Sequence, residues 1–130
     1  MSKVIGIIGT RKRDTLQDLA LVWEEFRRWY EPGDKICSGG CKNGGDRFAE
    51  VIANRLNLTE KNGGLILHLP KGVSRDAPKW KYVKELFARN TLVANDSDII
   101  IACVSLDRTG GTEDTIRKYV KMGKGEVYLC

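Results

Sequence analysis

The chain has 130 residues, 42% hydrophobic and 30% charged, the length of one domain with its own core and the composition of an ordinary soluble protein. No apolar run approaches the ~18 residues of a membrane span and the start has no signal-peptide pattern, so a cytoplasmic chain without a membrane span is the expectation. A net charge of +5 suits an anionic ligand, nucleic acid included, although the basic residues are scattered, with short clusters only at Arg11-Lys12-Arg13 and from Lys79 to Lys84.

Residues 3–9 (Lys-Val-Ile-Gly-Ile-Ile-Gly) form a β-branched run ending in glycine, the pattern of a buried first strand, and Gly9-Thr10-Arg11 closes it. Asp14 or Thr15 is placed to cap a helix reaching about Tyr30. Leu16, Leu19, Ala20, Trp23, Phe26 and Tyr30 keep helical spacing there, and Glu31-Pro32-Gly33 ends it. Residues 35–38 make a short second strand. It runs through Ser38-Gly39-Gly40-Cys41-Lys42-Asn43-Gly44-Gly45-Asp46 into a helix whose stripe is Phe48, Ala49, Ile52, Ala53 and Leu56. Residues 65–69 form a third strand stopped by Pro70. Pro78 suits the first turn of a helix continued by Val83, Leu86, Phe87 and Ala94. Residues 97–104 are apolar enough for a strand covered on both faces. Thr112 is placed to cap a last helix through Ile116, Tyr119 and Val120, ended by Gly123, and residues 126–130 make a fifth strand.

Strict alternation of strand and helix predicts one α/β domain over residues 1–130, a Rossmann-like, doubly wound parallel sheet of five strands with helices on both faces. Right-handed crossovers give the order 3-2-1-4-5, in which strands one and four are neighbours at the point where the chain reverses. The crevice at their carboxyl ends is where such folds bind ligands. Thr10-Arg11 and Gly110-Gly111-Thr112 flank that crevice, with Ser38-Gly39-Gly40 one strand over.

Strand, glycine turn and helix in succession present bare backbone N–H groups to an anion. Gly39, Gly40, Gly44 and Gly45 exceed what turning requires, and Ser38 adds a hydroxyl. Asp46 suits the dipole of the second helix and a ribose hydroxyl alike. Glu113 and Asp114 follow Gly110-Gly111-Thr112 at once, favouring the helix dipole but repelling a phosphate bound end-on. Either the turn and Thr112 hold the phosphate, or this end faces a sugar. Arg11 is placed to supply a cation from across the crevice or to sit on the surface. Asparagine is mildly unfavourable inside a helix, so Arg89-Asn90 marks either a contact or an exposed polar turn. His68 reads as structural. Four cysteines with one histidine and no Cys-x-x-Cys pair read as reduced thiols, with no metal site expected; a redox role for Cys37 and Cys41 stays open.

With Gly9-Thr10-Arg11, Ser38-Gly39-Gly40, Gly45-Asp46-Arg47-Phe48-Ala49-Glu50, Arg89-Asn90 and Gly111-Thr112 together, the chain resembles the SLOG superfamily. That group includes the LOG phosphoribohydrolases, the DprA DNA-processing proteins and the YspA/YpsA-related proteins, and the small YspA-like branch looks nearest. The resemblance implies a Rossmann-like domain, often a homodimer, that binds nucleotides or nucleotide-derived ligands. The implied ligand contacts are Gly9, Thr10, Arg11, Ser38, Gly39, Gly40, Asp46, Arg89, Asn90, Gly111 and Thr112, with no cofactor. The chain departs from the LOG enzymes, since their Pro-Gly-Gly-x-Gly-Thr-x-x-Glu loses its proline here and Thr115 stands in place of the glutamate. Three functions follow. The first is a sensor or sequestering module for a nucleotide. The second is an N-glycosidase or phosphoribohydrolase on nucleoside monophosphates, with Glu113, Asp114 or Asp46 as its carboxylate. The third is single-stranded nucleic-acid binding.

Overall fold

The computed structural model describes residues 2–40, 44–69 and 78–130. Among them, strands and helices alternate as β1 (Val4–Gly9), α1 (Leu16–Trp29), β2 (Lys35–Ser38), α2 (Gly45–Arg55), β3 (Leu65–Leu67), α3 (Lys79–Asp96), β4 (Ile99–Cys103), α4 (Gly111–Met122) and β5 (Val127–Leu129). The strands form one sheet in the order β3-β2-β1-β4-β5. Every pairing is parallel, with Ile5 beside Ile36 on one side of β1 and Ile99 on the other. The expected doubly wound architecture is the observed one. Pro70 and Cys41 lie outside the described residues.

Successive side chains of a strand point to opposite faces, so the two central strands feed two cores. Ile5, Ile7, Ile36, Ile101 and Cys103 pack under α1 and α2 against Val22, Phe26, Phe48, Ala49, Ile52 and Ala53. Ile8, Cys37, Ile100 and Ala102 pack under α3 and α4 against Val93, Ala94, Ile116 and Tyr119. Each fully buried isoleucine contributes about 1.5–3 kcal/mol of transfer free energy.

Several element ends differ from expectation, each for a local reason. Thr15, not Asp14, caps α1, in a capping box where its side chain accepts from the Asp18 amide and Asp18 answers at the Thr15 amide. The third strand stops at Leu67, because its partner β2 ends at Ser38, the last residue in register. Ser97 belongs to the end of α3 rather than to β4, its amide and hydroxyl both donating to Val93 O. The cap of α4 is Gly110 rather than Thr112. Gly110 has φ +102°, a conformation other residues rarely adopt, so the chain turns there and the helix starts at Gly111 with Thr112 already inside its first turn.

Candidate functional site

A cleft of about 670 Å³ opens at the carboxyl ends of β1 and β4. Ile8, Gly9 and Val93 form its floor. Thr10, Arg11 and Lys12 stand on one side, and Thr109, Gly110, Gly111 and Thr112 lead into α4 on the other. Val83, Leu86 and Phe87 of α3 make an apolar wall, and Gly39, Asp46, Arg89 and Asn90 close the end toward β2. This is the crevice the topology predicts, where β1 and β4 lead away in opposite directions.

Arg89 and Asn90 hold the cleft together. Arg89 is largely buried, and its guanidinium donates to Gly39 O at 2.7 Å and to Asn90 Oδ1 at 3.0 Å, with Asp46 Oδ2 at 3.6 Å. Asn90 Nδ2 in turn donates to Gly111 O at 3.3 Å and to Asp114 Oδ2 at 3.2 Å. Two adjacent residues of one helix thus clasp the turn after β2 and the first turn of α4. Ser38 Oγ lies 2.7 Å from Ile7 O and 2.9 Å from Asp46 Oδ1, sharing its single proton between them.

The glycine turns differ in what stands before them. A Cβ on Gly45 would collide with the backbone of Ile8 and Gly9, so the bare residue lets α2 start directly on β1. One on Gly44 would collide with Thr10 O, and one on Gly39 with the Arg89 guanidinium. The Gly44 amide is taken by Asp14 Oδ1 at 2.9 Å, which also accepts from Arg47 at 2.8 Å. Those two donors hold the Asp14 carboxyl below its ordinary pKa. At Gly110 a Cβ would meet nothing within 4 Å, and at Gly111 only Asn90 Nδ2 at 3.7 Å. The N-terminus of α4 therefore faces open cleft. The first amides of a helix have no acceptor inside it, so those of Gly111, Thr112 and Glu113 point outward.

Of the residues singled out from the sequence, Gly9, Thr10, Arg11, Gly39, Asp46, Arg89, Asn90, Gly110, Gly111, Thr112 and Asp114 line the cleft. Ser38, Gly40, Gly44, Gly45 and Glu113 do not. Glu113 turns away to Arg108, whose Nε and Nη2 donate to its two oxygens at 2.8 and 3.0 Å. Asp114 is buried in the cleft wall. Burial raises its pKa, but hydrogen bonds from Lys118 and Asn90, the Lys118 charge and Arg117 outweigh that and hold the carboxyl below its ordinary range. Arg11 is exposed and, among the described residues, has no ion-pair partner; Lys12 pairs with Asp107 at 3.1 Å.

Lys12, Thr109, Thr115, Arg117 and the apolar wall also line the cleft, and the sequence pattern does not single them out. For Val83, Leu86 and Phe87 the helical spacing was visible, but it does not say which apolar positions overhang a cleft. Cys37 is fully buried, and burial, with the nearby Asp96 charge, pushes its thiol up to about 12. A neutral, enclosed thiol does not suit redox exchange.

No protein-family model matches the chain, and no curated protein matches it. Solved structures share its fold. The molybdenum cofactor binding protein from the phototrophic bacterium Rippkaea orientalis superposes with a TM-score of 0.69 at 19% identity, over 100% of this chain and 78% of that one. DNA processing protein A from Helicobacter pylori, described for its single-stranded DNA binding mode, gives 0.68 at 23% identity, over 96% of this chain and 64% of that one. DprA from Streptococcus pneumoniae gives 0.67 at 20% identity, over 99% of this chain and 50% of that one. At these identities the likeness establishes a Rossmann-like α/β fold in common. Among the described residues, no helix is long and apolar enough to cross a membrane.

Proposed function

We propose that the chain is a binding module for a nucleotide or nucleotide-derived ligand, seated in the cleft between β1, β4 and the start of α4. The observation that carries this reading is the open N-terminus of α4 in a cleft that Arg11 also lines. A phosphate there takes the outward amides of Gly111 and Thr112, with the Thr112 hydroxyl beside them and the Arg11 guanidinium opposite. The apolar wall of Val83, Leu86 and Phe87 suits the flat face of a base, and the sugar lies toward Asp46. The motif resemblance to the SLOG superfamily, and to its small YspA-like branch, supports the same assignment and makes a homodimer the expected solution state.

Cleavage of an N-glycosidic bond is the second reading, favoured by one observation, that Asp46 and Asp114 both border the cleft. Against it, Asp114 is held by Asn90, Lys118 and Arg117, Asp46 lies beside Ser38 and Arg89, and Glu113 is clasped by Arg108. A carboxylate so engaged is a poor base.

The test is incubation with a mixed panel of nucleotides, followed by mass analysis of what is bound and what is released. The panel includes the molybdenum cofactor and single-stranded DNA, which the names of the structural neighbours carry. The expected result is one nucleotide retained unchanged. Free base with ribose phosphate makes the protein a hydrolase, retention of DNA alone makes it a nucleic-acid binder, and retention of nothing overturns the proposal.

A further inference from the structure

Away from the cleft, three side chains of different chemistry converge at the β3 side of the sheet. Cys37 lies in β2, on the face covered by α3 and α4. His68 follows β3 directly, and its amide donates to Ser38 O at 2.9 Å, the bond that closes the last strand pair, Ser38 with Leu67. Asp96 is the last residue of α3. One potential ligand atom from each, the thiol sulfur, an imidazole nitrogen and a carboxylate oxygen, lie within 4.8 Å of one another. His68 Nε2 stands 2.5 Å from Asp96 Oδ2.

We propose that Cys37, His68 and Asp96 form a binding site for a divalent transition-metal ion of the zinc type. The donor set fits: thiolate, imidazole and carboxylate all serve zinc, at about 2.0–2.3 Å from the metal. Around a tetrahedral ion such ligands stand about 3–4 Å apart, so the observed cluster needs only small side-chain rotations to close on one. The charges fit as well. A thiolate and a carboxylate neutralise a divalent ion, and the neutral imidazole completes three protein ligands; the proton leaves Cys37 for solvent as the metal binds. The nearby cation Lys124 is spent on the backbone oxygens of Ala94 and Asn95. Cys37 is fully buried, whereas the side chains of His68 and Asp96 are 20% and 38% exposed, which leaves an entry path and room for water as fourth ligand. Sequence spacing could not announce the site, because its members come from three elements joined only by the fold.

Loading would tie β2 to the end of β3 and to the end of α3, the helix whose Arg89 and Asn90 clasp the cleft. The experiment uses the full chain, reduced and stripped with chelator, then titrated with cobalt(II). Expected are one equivalent bound, a near-ultraviolet thiolate-to-cobalt band and strong visible absorption of tetrahedral cobalt, all displaced by zinc. Cys37→Ser removes the charge-transfer band. His68→Gln, at the rim and outside the core, leaves the apo fold intact and weakens cobalt at least tenfold. The proposal fails if the folded wild-type chain shows no charge-transfer band, if the band survives in Cys37→Ser, or if His68→Gln binds cobalt as tightly as wild type. Should Cys37→Ser not fold, the His68→Gln comparison decides alone.

Discussion

A single methyl group separates two kinds of glycine in this protein. Gly111 opens α4 without a positive φ, and a Cβ there would point into the cleft with ordinary contact to Asn90. Gly111→Ala should therefore leave stability unchanged or raise it by about 0.5–1 kcal/mol, since alanine is the better helix residue. On the proposed function it should nonetheless weaken nucleotide binding at least tenfold, because the methyl would stand before the amides proposed to receive phosphate. Gly45→Ala should do the reverse and cost about 1–3 kcal/mol by driving α2 off the β1 backbone. Thermal melts paired with titration calorimetry on both variants separate the two effects; loss of stability without loss of binding in Gly111→Ala would remove the phosphate from α4. This difference was not legible in the sequence. Gly44-Gly45 and Gly110-Gly111 look alike as strand-to-helix glycine pairs, and only the fold brings β1 against one and leaves the other open. Asp14 was similarly hidden: read as a candidate cap for its own helix, it closes the N-terminus of α2 instead.

Elements, by contrast, are largely legible in the amino-acid sequence. Valine and isoleucine runs bounded by glycine and proline give the strands, and the amphipathic stripes Leu19-Trp23-Phe26 and Phe48-Ile52 give helices that cover a sheet. Their order follows because a right-handed crossover leaves few ways to wind such a chain. What the pattern lacks is the tertiary partner of each buried polar side chain. Asp34 illustrates it: the side chain is 1% exposed and accepts from the amides of Lys3 and Glu31 and from Lys3 Nζ, joining β1 to the turn before β2. Burial alone would raise its carboxyl, but the hydrogen bonds from Lys3 and Glu31, with the Lys3 charge, outweigh it and leave the pKa below its ordinary value. A carboxyl lowered in the folded state binds its proton more readily when unfolded. Its stabilisation is thus complete above the unfolded value of ~3.9 and drains away as pH falls through the folded value. Asp34→Ala should cost about 1–3 kcal/mol at neutral pH through the orphaned amides. The charge-dependent part of that gap should shrink below about pH 4, as wild type protonates. Urea melts at neutral and acid pH check this, and a gap that widens in acid would contradict the assignment.

At the scale of the whole molecule, the salt dependence of binding is what separates a small phosphorylated ligand from a polymer. Single-stranded nucleic acid loses affinity with salt in proportion to the phosphates engaged, a slope of about −0.7 per contact in log K against log salt. The chain carries a net charge of +5, yet its basic residues are dispersed and many are matched by neighbouring acids: Lys12 by Asp107, Arg13 by Asp18, Arg47 by Asp14 and Arg108 by Glu113. At the cleft, Arg89 lies beside Asp46 and Arg117 pairs with Asp114. Arg11 is the cleft cation that, among the described residues, has no such partner. A nucleotide held by helix amides and one guanidinium should therefore show a shallow salt dependence, roughly that of one contact, and Arg11→Ala should flatten it further while weakening binding about tenfold. Arg117→Ala, whose charge is already shared with Asp114, should change neither slope nor affinity by more than about twofold. Titrations from low to moderate salt on the three proteins make the comparison. A steep slope that several lysine and arginine replacements each reduce would mean the surface, not the cleft, is the binding site.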